Sequence, residues 1–423
     1  MKLICGPESL RMKVPPGALR VVLYGQAFNG SASAGAAAAS DIRRRRLSPT
    51  ARAWDVLSIA LSVTTADFAL QRDPSPDGWT RDFELDIAVT DAAFWNQHVD
   101  LVADALAFLT TDRWSLHFRP DGGKPPEPKK PAMLTDDCVM LLSGGVDSLV
   151  GAIDLVSAGR RPFAISQVVR GDAEKQSNFA AAIGGGLNHL QLNHNAHAPG
   201  VDERSQRARS LIFIAFGVVG ATCLQRYRAG ELTPLYVCEN GLIALNPALT
   251  GVRLGSLSTR TAHPEFLRRL QRVLDAAEIG VQLENPYQTT TKGEMLAACA
   301  DPAVLARFAV NATSCGRFLH YNYTHCGRCV PCQVRRAAFM RSGVADTTEY
   351  VFEHLGKKDS NHAAFDDVRA VAMALAEIEE QGIGAWIGSR LSLSDFANAA
   401  DLEALVGRGL AELGLLHAKY SVQ

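Results

Sequence analysis

The chain has 423 residues, a 47% apolar fraction and a formal net charge of −1, with 43 basic against 44 acidic side chains. That length is enough for two or three domains, and so balanced a charge offers no bulk attraction to nucleic acid or to an anionic membrane. Its nine cysteines are an odd number, four of them clustered, which suits a reducing cytosol and a metal better than a disulfide framework.

The opening "MKLICGPESLRMKVPP" has too short an apolar core for a signal peptide. "LRVVLYG" (19–25) reads as a strand. "GSASAGAAAASDIRRRR" (30–46) is low in complexity and ends in the arginine run Arg43–Arg46, which reads as a solvated, mobile loop. "DVLSIALSV" (55–63) alternates Leu57, Ile59, Leu61 and Val63 with small residues, and "DFELDIAVT" (82–90) alternates Phe83, Leu85, Ile87 and Val89 with acids and Ala88, so both predict strands. A helical period follows over 94–112, and "WSLHF" (114–118) closes the region as a strand. Residues 1–118 are thus expected to form a small α+β accessory domain without a catalytic constellation. "RPDGGKPPEPKKPAM" (119–133) is rich in Pro, Gly and Lys and predicts an exposed linker, extending to residue 135, before a second domain.

From 136 the pattern becomes strand–helix alternation. Strands are expected at 138–142, 162–169, 189–194, "LYVCENG" (235–241) and "GVQLENPY" (280–287), with helices at 204–228 and 264–278 among them. This predicts an α/β fold with a doubly wound, parallel, five-stranded sheet. With strand order 3-2-1-4-5, ligands belong in the crevice at the carboxyl ends of strands 1 and 4. "SLIFIAFGVVGATCLQ" (210–225) is the longest apolar stretch and reads as a buried core helix, too short for a membrane span. Residues 343–423 read as a helical tail, with amphipathic segments at 365–382 and 394–416.

The first strand ends in "SGGVDS", residues Ser143, Gly144, Gly145, Val146, Asp147 and Ser148. Two glycines permit a sharp turn and close backbone approach, and the helix start behind them offers free N–H groups to an anion. The serines add hydroxyl donors, and Asp147 is suited to a divalent cation such as Mg²⁺ that bridges phosphate oxygens. An ordinary turn with Ser148 as a helix cap is the plainer alternative. No Walker sequence GxxxxGK[ST] occurs. Glu239, Asn240 and Gly241 leave strand 4 toward the same crevice.

"SCGRFLHYNYTHCGRCVPC" holds Cys315, Cys326, Cys329 and Cys332 at C-x10-C-x2-C-x2-C spacing. Overlapping CxxC pairs with a fourth thiolate from a preceding loop suit tetrahedral Zn²⁺ in a closed, structural site. Buried free thiols, a redox pair at Cys329–Cys332 and an iron–sulfur cluster rank below zinc, and His320 and His325 rank below Cys315 as ligands.

SGGVDS after an apolar strand resembles the signature of the PP-loop ATP pyrophosphatases. Together with the downstream cysteines, "TTTKGEML" (289–296) and "CQVRRAAF" (332–339), it resembles the 7-cyano-7-deazaguanine synthases, the QueC family, over residues 136–342, including QueC-like proteins of antiphage defence. The resemblance implies a PP-loop fold and a cytoplasmic, ATP- and Mg²⁺-dependent ligase. Such an enzyme adenylates a carboxylate, 7-carboxy-7-deazaguanine in the synthases, releases pyrophosphate and passes the acyl group to an amine. In the synthases the amine is ammonia, and a second ATP dehydrates the amide to a nitrile. It further implies catalytic roles for Asp147, Ser148 and Lys292, and nucleotide contacts from Ser143 to Ser148 and from Arg209. Glu239, Asn240, Gly241, His263 and Glu265 are implied to face the base. The family's "GYPDCR"-like base-reading loop is replaced here by "STRTAHPEF" (258–266). Glu265 is as well explained by first-turn polarity behind Pro264, and Thr291 with Glu294 by a capping box. The extra domain suggests a partner protein of a defence operon as the amine donor. The rivals are a PP-loop enzyme modifying tRNA or its bases and an inactive nucleotide-binding module.

Overall fold

The computed structural model describes residues 1–11, 13–28, 30–250, 260–355, 367–390 and 399–422. Two five-stranded sheets organise the chain. The first contains β1 (Lys2–Pro7), β2 (Leu19–Leu23), β3 (Ala32–Ala34), β4 (Asp82–Ala88) and β5 (Arg113–Arg119) in the order β3-β2-β1-β4-β5. All its pairings are parallel. Helices α1 (Ala36–Arg44) and α2 (Ala51–Ala69) lead from β3 to β4, and α3 (Ala92–Gln97) and α4 (Val99–Thr110) from β4 to β5. The interleaved helices and parallel strands make this region α/β, where the sequence suggested segregated elements.

Residues 55–63 are helical, against the strand expectation. Thr50 starts α2 by accepting a hydrogen bond from the Ala53 N–H, a cap worth about 1 kcal/mol. Every residue from Ala53 to Asp67 is buried. A helix covered on all sides needs no polar stripe, so Leu57, Ile59, Leu61 and Val63 alternate with small Ser58, Ala60 and Ser62, whose serine hydroxyls bond back to carbonyls one turn earlier, and the pattern imitates a period of two. The low-complexity stretch likewise supplies β3 and α1, turned by Gly35 at φ 85°. Arg45 at its end donates to the Asn188 side chain and the His189 carbonyl.

Residues 120–137 join β5 to the second sheet without helix or strand. That sheet contains β6 (Cys138–Leu141), β7 (Pro162–Gln167), β8 (His189–Leu192), β9 (Thr233–Tyr236) and β10 (Val281–Glu284), all parallel, in the order β10-β9-β6-β7-β8. This is the anticipated doubly wound arrangement of a PP-loop-type fold, with the winding reversed between β6 and β9. The intervening helices are α5 (Val146–Ser157), α6 (Ala173–Ala182), α7 (Arg209–Ala221), α8 (Gln225–Arg228), α9 (Gly241–Leu245) and α10 (Pro264–Ala276). After β10 come α11 (Lys292–Ala298), α12 (Pro302–Phe308), α13 (Val330–Ser342), α14 (Asp367–Gln381), α15 (Ile383–Arg390) and α16 (Ala399–Lys419). The amphipathic segments expected in the tail correspond to α14 and α16, except for 365–366 and 394–398, which lie outside the described residues.

One continuous apolar core unites the two sheets. It runs from Leu3, Val21 and Leu85 through Leu57 and Leu61 of α2 to Ile212, Phe216 and Val219 of α7, then to Val139 and Leu235 of the second sheet. The opposite face of that sheet packs on α5 through Met140, Leu149 and Ile153. The tail helices close on α9 and α13 through Leu242, Val334, Trp386, Leu405 and Leu413. Among the described residues no helix is long and apolar enough to cross a membrane.

His263 and His417 are buried in the neutral form, burial lowering each from 6.5 to about 4. Their contacts agree: His263 Nδ1 accepts the Glu265 N–H at 3.1 Å, and His417 Nε2 lies 2.7 Å from Gln333 Oε1. Histidines depressed in the folded state contribute stability that is complete above the unfolded value of 6.5 and is lost as pH falls toward 4, because the unfolded chain protonates first. The thermal midpoint should therefore hold steady above about pH 7 and drop across that window, and His417→Gln should remove part of the drop.

Candidate active site

β6 is fully buried and delivers the chain to its carboxyl edge, where Gly144 turns at φ 88°. A Cβ there would be strained in that conformation and would press on Asp172 at 3.3 Å. Gly145 then caps α5 without a side-chain bond, leaving first-turn N–H groups directed outward. Ser143 and Ser148 brace the turn. Their hydroxyls are 3.0 Å apart, the Ser143 N–H donates to Ser148 Oγ, and Ser148 Oγ donates to the Gly145 carbonyl. Ser148 thus shapes the turn from inside.

Asp147 is 5% exposed and gathers three elements. The Lys292 ammonium, at the start of α11, lies 2.6 Å from Oδ1. The Asn240 backbone and side-chain amides donate to Oδ2 at 3.1 and 2.8 Å, and the same side chain donates to Glu239 at 3.0 Å. Burial pushes the Asp147 carboxyl up, but Lys292, Glu239 and Asn240 outweigh it and hold the group well below the usual carboxylate range. Burial and then the Asp147 charge drive Glu239 well above that range. The two carboxyls are thus pushed in opposite directions, with Asp147 the one favoured in its ionised form. Gly241 follows at the start of α9, donating its N–H to the Thr290 carbonyl at 2.8 Å, and a Cβ on it would collide with the Gln288 carbonyl.

Lys292 is aimed by the residues around it. Thr291 and Glu294 form the capping box that starts α11, and Glu412 of α16 accepts from the Thr291 hydroxyl and the Gly293 N–H. Arg408 of the same tail helix donates to Glu294 and to the Thr289 carbonyl.

Three further groups at the glycine turn went unnoticed in the sequence. Lys175 in α6 donates to Thr313 Oγ1 at 2.6 Å, Thr313 donates that hydroxyl to Asp172, and the Thr313 N–H donates to the Gly144 carbonyl at 3.0 Å. Burial lowers the Lys175 ammonium against the partial compensation of Asp172. The available signal was "GDAEKQ", a glycine turn and a lysine directly after β7.

Arg209 is exposed in the first turn of α7, and Ser210 beside it is buried with no hydrogen-bond partner among the described residues. His263 and Glu265 are engaged elsewhere. His263 caps α10 and packs its ring against Phe108 of α4 at 5.1 Å, while Arg268 and Arg269 take up the Glu265 carboxylate at 2.7–2.8 Å. Residues 258–259 of that segment lie outside the described residues.

The four cysteines converge, their Sγ atoms all within 4.8 Å of one another, with Cys326–Cys332 and Cys315–Cys329 at 3.9 Å. A tetrahedron with Zn–S bonds of about 2.3 Å has edges of about 3.8 Å, so the cluster can hold zinc. The N–H groups of Arg317 and Cys326 donate to Cys315 Sγ, and that of Cys329 to Cys326 Sγ, which favours thiolates. His325 lies outside the cluster, accepting from the Ser314 N–H, and His320 is exposed. The segment before Cys315 is gathered by buried Arg335 of α13, which donates to the carbonyls of Ala309, Val310 and Ala312. The cysteine loop and the glycine turn therefore meet at Thr313.

No protein-family model matches the chain. Over 90 residues it is 30% identical to a 7-cyano-7-deazaguanine synthase from Methanococcus aeolicus, a stretch that is 21% of this chain and 38% of that protein. The chain is similar to that synthase over this part and spans well under two thirds of its length.

Cys329→Ser should lower zinc in purified protein from about one per chain to near none and loosen the loop carrying Thr313, since a structural metal supplies folding free energy. Elemental analysis and proteolysis of residues 313–328 are the measurements. A variant that retains zinc would refute the assignment of ligands.

Proposed function

We propose that the chain is a QueC-like, ATP-dependent ligase that activates a carboxylate by adenylation. The observation that carries this reading is the meeting of Asp147, Asn240 and Lys292 where β6 and β9 part, directly behind the glycine turn. The partial similarity to a 7-cyano-7-deazaguanine synthase supports it. ATP phosphates would rest on Ser143–Ser148, with Lys292 and Lys175 at either side and Arg209 nearer the nucleoside. Asp147 would hold Mg²⁺, which would supply charge neutralisation to phosphate oxygens.

The substrate carboxylate attacks the α-phosphorus, the bond to the bridging oxygen of the β-phosphate breaks, and pyrophosphate leaves. An amine nitrogen then attacks the acyl carbon, AMP departs with the bonding pair, and the amine proton passes to solvent. We assign the carboxylate to a 7-deazaguanine such as 7-carboxy-7-deazaguanine. Glu239 and Asn240, with Gly241 between strand and helix, would face it. The layout, a PP-loop domain flanked by an N-terminal unit and a helical tail, is similar to that of QatC, a QueC-like protein of bacterial antiphage defence. On that basis the amine belongs to a partner protein.

Incubated with ATP, Mg²⁺ and the carboxylate, the protein should yield AMP and pyrophosphate; ADP as the nucleotide product would remove the reading. Asp147→Asn and Lys292→Ala should each lower turnover by about 10²-fold or more, the size of a lost charge on a phosphoryl transition state. Mass spectrometry of co-expressed partner proteins should find a deazaguanine amide that Asp147→Asn abolishes. Release of free nitrile from ammonia at full rate would assign the amine to ammonia instead.

A further inference from the structure

The connection from β8 to α7, residues 193–208, is fastened along its length to the N-terminal unit. The His194 carbonyl accepts the Gly35 N–H at 2.7 Å, and His197 exchanges two backbone bonds with Ser33 at 2.9 Å. Asn195 Oδ1 accepts the Ala37 N–H at 3.0 Å, capping α1 from outside that helix. The Glu203 carboxylate accepts the Arg72 N–H at 2.8 Å, and the Glu203 N–H donates to the Phe68 carbonyl.

The last tie lies at the start of α7. Its N-cap residue is Ala208, which has no side chain to satisfy the first N–H groups. Asp67, at the end of α2, instead holds the backbone on the approach to the helix. Its Oδ2 takes the N–H groups of Arg207 and Ala208 at 2.6 and 2.7 Å. A carboxylate here also places negative charge at the positive end of the helix dipole. Asp67 cannot swing away. Arg81 donates to its Oδ1 at 2.5 Å, Arg72 lies 3.7 Å from it, and both arginines also bind Asp112. All four side chains are between 0% and 2% exposed, a neutral set of two cations and two anions.

Because α7 carries the chain from β8 back to the parallel strand β9, it runs against the strands and begins at their carboxyl edge. That is the edge that holds the glycine turn. Its first turn carries Arg209 and the buried Ser210, which has no hydrogen-bond partner among the described residues.

We infer that Asp67 is a positioning residue for the nucleotide site, and that the N-terminal unit acts by fixing the start of α7 and thereby Arg209 and Ser210. This rests on the nucleotide reading of the crevice proposed above. The unit is then a working part of the site, although it contributes no group that touches ATP.

The test uses the full chain and calorimetric titration with the non-cleavable α,β-methylene analogue of ATP in Mg²⁺. Asp67→Asn keeps the volume and removes the charge. It should weaken analogue binding about tenfold, the size of a charge-assisted bond or a helix-terminal charge, with zinc content unchanged. Arg209→Ala should weaken it similarly. The double variant should be no weaker than either single one, since each removes the same contact. Thr50→Ala, which uncaps α2 remote from this edge, serves as the control: it should lower the thermal midpoint and leave the affinity alone. Should Asp67→Asn not fold, Glu203→Gln loosens the same connection and should shift affinity in the same direction. Affinity unchanged in every variant of the connection, or fully additive losses in Asp67→Asn and Arg209→Ala, overturns the inference while the nucleotide reading stands. Failure of the wild type to bind the analogue overturns both.

Discussion

A carboxylate almost wholly removed from water must be compensated, and at Asp147 that compensation comes from two distant parts of the chain. The residue is delivered by the turn after β6, Asn240 by the end of β9, and Lys292 by the start of α11. Removing Lys292 or Asp147 would leave the other as an unmatched buried charge, a loss of about 3–5 kcal/mol in typical cases. The ion pair therefore fixes where the strands part and where the lysine points. A phosphate ligand with its cation would take over both charges.

The regions flanking the second sheet act on this arrangement from opposite sides. The tail helix α16 places Glu412 beneath Thr291 and Gly293 and Arg408 beside Glu294, so the capping box that presents Lys292 is itself held. The N-terminal unit holds the other flank through Asp67 and the connection before α7. The cysteine cluster supports a third flank by fixing the segment that reaches Thr313 and the Gly144 carbonyl. In each case a polar group at an element's end is satisfied by a residue far away in sequence, which is why the site and its surroundings form one hydrogen-bonded body.

Local chemistry was legible wherever it lay within a short window. The strand–glycine–helix turn, the capping box of Thr291 and Glu294 and the spacing of the cysteines each require only neighbouring residues. The alternation of strands and helices after residue 136 was similarly plain and pointed to a doubly wound parallel sheet, whose order β10-β9-β6-β7-β8 matches the 3-2-1-4-5 order assumed for it. Where burial was complete, the pattern misled. Helix α2 has no wet face, so its apolar residues carried no helical stripe. The short β3 and α1, in small residues, had no period strong enough to read.

By itself the sequence determined the PP-loop-like turn, the four-sulfur cluster and the doubly wound sheet, because each follows from residue type at fixed spacing. Only the tertiary structure decided which polar groups meet: Asp147 with Lys292, Asp67 with the backbone before α7, Lys175 with Thr313. It also decided that His263 and Glu265 serve the start of α10, where a helix cap and two arginines occupy them. The physical reason is common to all of these. Pairing energies between buried polar groups depend on distance and desolvation, and both are set by how elements pack rather than by their order along the chain.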